Sequence, residues 1–222
     1  MNDSYQQLKQ QMRLRKRRVI VNNDGGDLIK ANDSVAEAPR DFVDVRTTPL
    51  VGTHVDTIFY STHGGHGVCN HNTRVGQVRE HPGVAALIAQ GTDPLEVMTT
   101  YGHEQGIEVF WSLRMNDTHD GSRPDRFAAN RFKNENPECL LGTPDERPKH
   151  GQWSAVNYAY EKVRTLVLAL VEEVCRNYDV DGIELDFFRH PVFFKTTAAG
   201  RPVTDDERYA MTDLLGNISE VV

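Results

Sequence analysis

The sequence predicts an α/β fold built on parallel strands. Short runs rich in β-branched and aromatic residues alternate with helical stretches, an order that implies parallel strands joined by right-handed crossovers. The strand runs are apolar on both faces, as a parallel sheet covered by helices requires. Three long polar segments each follow the C-terminal end of a strand, where α/β folds carry their functional residues.

Four strands are expected, at residues 18–24, 56–62, 107–114 and 180–188. Each ends in a polar cluster. A short helix is expected at residues 48–54. The next helix opens at residue 93: Asp93 is the N-cap, Pro94 holds the first helical position and Glu96 sits in the first turn. Residues 153–178 carry apolar positions at Val156, Ala159, Val163, Leu166, Val167, Leu170, Val171 and Val174. That spacing predicts one long amphipathic helix. The last helix opens with a capping box, Thr204 with Glu207, and places Met211, Leu214, Leu215 and Ile218 on one face. The long segments span residues 24–47, 62–92 and 116–152. No G-x-G-x-x-G or Walker motif follows a strand, so nucleotide binding has no support. The architecture is then either an open doubly wound sheet or a TIM barrel.

Bulk properties narrow the function classes. The 222 residues suffice for one domain, expected over residues 1–222. Lys and Arg number 25 against 32 Asp and Glu, a net charge of −7, which argues against nucleic acid as a partner. The one basic run, Arg13 to Arg18, reads as the solvated end of an N-terminal helix rather than a phosphate-binding or targeting segment. Cys69, Cys139 and Cys175 form no paired spacing, and no secretory signal or membrane span is evident. A cytoplasmic protein with reduced thiols and no membrane partner is expected.

The sharpest chemical signal is the fourth strand, "VDGIELDFFRHP". Its period of two sends Ile183, Leu185 and Phe187 to one face, and Glu184, Asp186 and Phe188 to the other. A carboxylate at Asp186, on the inner face near the strand's end, is costly unless paired or used. Here the sequence resembles glycoside hydrolases of the TIM-barrel type. "GIELDFFRH" is similar to the α-amylase pattern, in which the strand-four Asp is the nucleophile. Asp186 matches that Asp and His190 the trailing His, while Glu184 stands where the pattern has Arg. The stretch also resembles the chitinase pattern D-G-x-D-x-D-x-E through Asp181, Glu184 and Asp186, with Phe188 in place of the final Glu.

The resemblance implies a (β/α) barrel and a hydrolase of O-glycosidic bonds acting on carbohydrate, without a cofactor or a metal. Glycoside hydrolysis needs two carboxyl groups. Asp186 is the expected nucleophile or stabilising carboxylate, and Glu184 the second catalytic candidate. The bland alternative for Asp186 is an ion pair with Arg114 or Arg189. Only four strands are found where a barrel needs eight. The chain therefore reads as the first half of a barrel, to be completed by further strands or by a second copy, or else as a smaller open sheet.

The other strand ends suit a polar sugar pocket. Substrate contacts are expected from Asn23 and Asp24 after strand one, with Gly25 and Gly26 allowing a tight turn. His63 and His66 follow strand two, Arg114, Asn116 and Asp117 strand three, and Arg189 and His190 strand four. Arg74 would suit a carboxylated sugar. Trp111 and Tyr60 are read as core. "STHGGHGVCNH" gathers His63, His66, Cys69 and His71 without the spacing of known zinc motifs. Its favoured reading is a substrate-contacting loop. Two rivals stand beside the hydrolase: a metal-dependent hydrolase using that loop, and a non-catalytic carbohydrate-binding remnant.

Overall fold

A computed structural model describes residues 3–31 and 34–222. In chain order the elements are α1 (Asp3–Leu14), β1 (Ile20–Asn23), α2 (Asp27–Lys30), β2 (Thr57–Tyr60), β3 (Val68–Cys69), β4 (Gln77–Val78), α3 (Pro82–Ala89), α4 (Pro94–Glu104) and β5 (Glu108–Arg114). There follow α5 (Pro124–Ala128), α6 (Arg131–Glu135), α7 (Glu161–Asn177), β6 (Gly182–Asp186), α8 (Lys195–Ala198) and α9 (Asp205–Val221). Asn32 and Asp33, inside the first long segment, lie outside the described residues.

The four expected strands form one sheet in the order β1-β2-β5-β6, all parallel. Spatial order follows chain order without reversal. A doubly wound sheet reverses at its centre; this order has no such reversal and is compatible with part of a TIM barrel. The register places Asn23 opposite Tyr60, Tyr60 opposite Trp111, and Arg114 opposite Asp186. The short pair β3–β4, also parallel, lies within the second long segment.

Alternation along the strands divides the sheet into two chemically distinct faces. Ile58, Tyr60, Val109, Trp111 and Leu113 are buried in the main core with Leu95 and Met98 of α4 and Val167 and Val171 of α7. Ile183, Leu185 and Phe187 pack on the same cluster. Tyr60 and Trp111 are therefore core, as expected. Burying each aliphatic side chain there contributes about 1.5–3 kcal/mol before entropy is counted. The opposite face is polar at both ends and aromatic in the middle. The Thr57 hydroxyl donates to Glu108 at 2.9 Å, the Phe59 and Phe110 rings lie 5.3 Å apart, and the Ser112 hydroxyl donates to Glu184.

Two local expectations need correction. Residues 153–160 are not helical. Val156 N–H donates to Asn116 Oδ1 at 2.9 Å and Asn157 N–H to the Cys139 carbonyl at 2.7 Å, so this backbone is tied to a neighbouring loop, and α7 starts at Glu161. The helix expected at 48–54 is a single 3₁₀ turn, Thr48–Leu50. The caps of α4 and α9 form as expected: Asp93 accepts from the Leu95 and Glu96 N–H groups, and Thr204 and Glu207 cap reciprocally.

The basic run is not simply solvated. Arg15 and Arg17 ion-pair with the buried Glu108 at 2.8 and 2.6 Å, and the Arg17 guanidinium lies 4.9 Å from the Phe110 ring centre. Arg18 pairs with Asp56 at 3.2 Å. The run closes the N-terminal end of the polar face. Cys69 and Cys139 are buried and form no disulfide. No helix among the described residues is long and apolar enough to cross a membrane.

Candidate active site

The C-terminal ends of the four strands converge on a cleft of about 180 Å³. Asp24, His63, Arg114, Asp117 and Arg189 line it, and so do His119, Arg79 and Arg126. Five of the expected site residues thus meet at one place.

After β1 the chain turns sharply at Gly25, whose φ is +71°. A Cβ there would stand 1.8 Å from the Ser61 carbonyl oxygen, so only glycine lets the first loop close against the end of β2. Asp24 pairs with Arg46. Burial pushes the Asp24 carboxyl up, but the Arg46 hydrogen bond and charge, the Gly26 N–H and the Arg114 charge together hold it below its usual value. Asn23 is occupied structurally. Its amide donates to Asp27 Oδ2 at 2.5 Å, and its Oδ1 accepts from Gly25 N–H at 3.0 Å.

After β5, Asp117 is the hub. It is buried, and its Oδ2 accepts from Arg114 Nη1 at 3.0 Å. Its Oδ1 lies 2.9 Å from His119 Nδ1 and accepts from His119 N–H at 3.0 Å. Burial alone would raise this carboxyl. The His119 ring and backbone hydrogen bonds hold it well below the carboxylate range. A carboxylate beside Nδ1 fixes the proton there and leaves Nε2 as an acceptor. Arg189 Nη2 approaches that Nε2 at 3.4 Å. Asn116 faces away: its amide donates to the Val156 and Val192 carbonyls at 3.0 and 2.8 Å.

On β6, Glu184 and Asp186 share the polar face. Glu184 is raised above its ordinary value by burial and by Asp186, against the Ser112 hydrogen bond and Arg114. Asp186 Oδ1 accepts from the backbone N–H groups of Phe188 and Arg189 at 2.9 and 3.2 Å, which fixes the carboxylate at the strand's end. Neither Arg114 nor Arg189 forms an ion pair with it, so the bland alternative for Asp186 is not what the side chains do.

The histidine-rich loop is divided among three environments. His63 reaches the cleft, buried, with its pKa pushed down to about 3 by burial, so it is a neutral hydrogen-bonding group. His66 packs on Phe132, ring centres 4.8 Å apart, and on Tyr158. His71 takes Thr62 Oγ1 at 2.5 Å and lies edge-on to Trp111 and Tyr178. Burial raises the Cys69 thiol, which opposes thiolate formation. The four side chains do not form one ligand set. Among the described residues the one group with ligand atoms within 4.8 Å of one another is Asp117, His119 and His190. Asp117 and His119 are hydrogen-bonded and lie beside Arg114 and Arg189, whereas His190 packs edge-on against the His119 ring, ring centres 5.3 Å apart, and its buried Nδ1 has no hydrogen-bond partner among the described residues. Arg74 stands elsewhere, in a hollow beside Glu173 and Tyr178, with its N–H donating to Glu173 at 2.7 Å.

His119 was legible as the histidine of "MNDTHD", two residues past Asp117 after a strand end. Arg79 and Arg126 carry no local signal, and only the packing of their loops brings them to the cleft.

No family model and no curated protein matches the chain. Solved structures match it in fold. Alpha-L-fucosidase isoenzyme 2 from Paenibacillus thiaminolyticus aligns with a TM-score of 0.59 at 16% identity, over 93% of this chain and 30% of that one. The galactosidase domain of an alpha-galactosidase-sucrose kinase gives 0.51 at 14%, over 93% and 25%. The GH36 alpha-galactosidase AgaA from Geobacillus stearothermophilus gives 0.51 at 12%, over 94% and 27%. The chain spans less than a third of the length of each. At these identities the likeness is one of fold: an α/β arrangement like part of a glycoside hydrolase.

Proposed function

We propose that the chain supplies the catalytic strand ends of a carbohydrate-active hydrolase that cleaves O-glycosidic bonds. The observation that carries this reading is Asp186. It ends the fourth of four sequentially ordered parallel strands and shares a face with Glu184. Its backbone-fixed carboxylate stands beside Arg114 in the register, and Arg114 and the nearby Arg189 line the cleft of Asp, His and Arg side chains. The fold likeness to a fucosidase and to alpha-galactosidases adds to it.

In this account Asp186 attacks or stabilises the anomeric carbon as the glycosidic bond breaks. Glu184, raised by burial and by its neighbouring carboxylate, gives its proton to the departing oxygen, the character a general acid needs. Water then gives its hydroxyl to the anomeric carbon, releasing Asp186 as carboxylate, and its proton to Glu184, which returns both carboxyl groups to their starting states. His63, Asp24 and the cleft arginines hold the sugar hydroxyls. Rates on aryl glycosides and oligosaccharides of fucose, galactose and glucose test it. Turnover of at least one, lost in Glu184→Gln and restored for substrates whose leaving group needs no proton, is expected. Sugar binding without turnover of any substrate would instead favour a carbohydrate-binding role.

A further inference from the structure

Neutral sugar hydroxyls would leave the charge of the cleft arginines unmet. Four arginines line the cleft, Arg79, Arg114, Arg126 and Arg189, against two aspartates, Asp24 and Asp117. Arg114 is neutralised by Asp117 and Asp24 by Arg46. Arg79, Arg126 and Arg189 make no ion pair with any carboxylate among the described residues; the nearby acids Asp120 and Asp125 are engaged by Lys133 and Arg123. This is a positive site on a chain of net charge −7, so it does not follow from composition.

Arg79 is the least expected of the three. It is half-buried, and its Nη2 donates to the Gly64 carbonyl at 3.0 Å. Gly64 makes the room: a Cβ there would stand 2.1 Å from Arg79 Nη2. Burial, then Arg126, oppose its charge, with Arg114 a further opposing cation and Asp117 the one carboxylate in its favour. Arginine stays charged nonetheless. Arg79 is thus a half-buried cation without a counterion among the described residues, beside the exposed Arg126, and an anion bound between the two would supply one. Arg79 and Arg126, with Gly64, also line an adjoining hollow of about 350 Å³, so the charge lies where the cleft continues. Glu80, next to Arg79 in the chain and exposed, lines that hollow too.

We infer that the sugar this cleft takes is anionic, its carboxylate or sulfate held by Arg79 and Arg126 at the junction of the two hollows. The inference rests on the carbohydrate reading above and departs from the neutral sugars named for the structural neighbours.

The test is calorimetric titration of the full chain with three matched sugars in both the galacto and gluco series: the neutral hexose, the uronic acid and the 6-sulfate. Inorganic sulfate is a fourth probe. The variants are Arg126→Gln, an exposed position that leaves packing intact, and Arg40→Gln, a distant control for net charge. At least one anionic sugar should bind about tenfold or more tightly than its neutral counterpart. That preference should vanish in R126Q, survive in R40Q, and weaken as salt rises. A preference for the uronic acid assigns the group as carboxylate, and one for the 6-sulfate as sulfate ester. Neutral sugars binding as well as the charged ones, or hydrolysed without preference, would overturn the inference and leave the carbohydrate reading standing. Inorganic sulfate bound in an Arg126-dependent way with no sugar bound would uphold the anion site and overturn the carbohydrate reading. No binding of any probe would overturn both.

Discussion

Arg114 stands beside Asp186 in the strand register, yet its guanidinium pairs with Asp117, 3.0 Å away. The strand-four carboxylate is held instead by the backbone N–H groups of Phe188 and Arg189, and the buried charge on Arg114 is met by a residue of the loop that follows its strand. Asp117→Asn removes that counter-charge while Arg114 remains only 9% exposed. Breaking one side of a buried pair costs about 3–5 kcal/mol. Urea denaturation at neutral pH should show a loss of this size. Because the native Asp117 carboxyl is held below its unfolded value near 3.9, its contribution is present above that pH and is lost as pH falls. The gap between wild type and D117N should narrow below about pH 4.

Glu184 works in the opposite sense. Its folded pKa is raised, by burial and Asp186, above the unfolded value near 4.3. The native state then holds more protons in that window, and stability falls as pH rises through it. Glu184→Gln removes this titration and keeps an acceptor for Ser112. Thermal melts should show E184Q gaining on wild type as pH rises from about 4, with the difference constant once Glu184 is ionised.

Lys133 is fully buried and held by Asp120 Oδ2 at 2.7 Å and by the Asp117 carbonyl at 3.1 Å. Asp120 also accepts from the Ser154 hydroxyl at 2.8 Å. Asp120→Ala strands the ammonium in the core and should cost about 3–5 kcal/mol. Lys133→Met removes the charge itself, leaves Asp120 with Ser154, and should cost clearly less. Equal losses in the two variants, read from denaturation midpoints, would contradict this assignment.

Much of this arrangement is legible along the chain because it is local. The strand runs, the caps at Asp93 and Thr204, and the division of β6 into an apolar and an acidic face depend on neighbours within a few residues. The failures arise where distant backbone decides. The apolar period at Val156 and Ala159 continues that of α7, but Asn116 and the Cys139 carbonyl claim the amides before a helix can form. His66 and His71 sit in a histidine-rich loop, yet aromatic partners from α6, β5 and the 150s loop draw them into the core. Arg74 follows that loop closely in sequence and turns to Glu173 on α7 instead. The cleft's own arginines, Arg79 and Arg126, come from segments whose meeting no spacing announces.

The account turns on Asp186. The most direct measurement compares wild type with Asp186→Asn for turnover and for sugar binding on the same substrate. Asparagine keeps the side-chain oxygen that accepts the Phe188 and Arg189 N–H groups, so the strand end should stay folded. The account predicts a fall in kcat of about a thousandfold or more with Kd nearly unchanged, as loss of a group that acts only as the bond breaks requires. Turnover in D186N within a few-fold of wild type would contradict it and remove Asp186 from the chemistry.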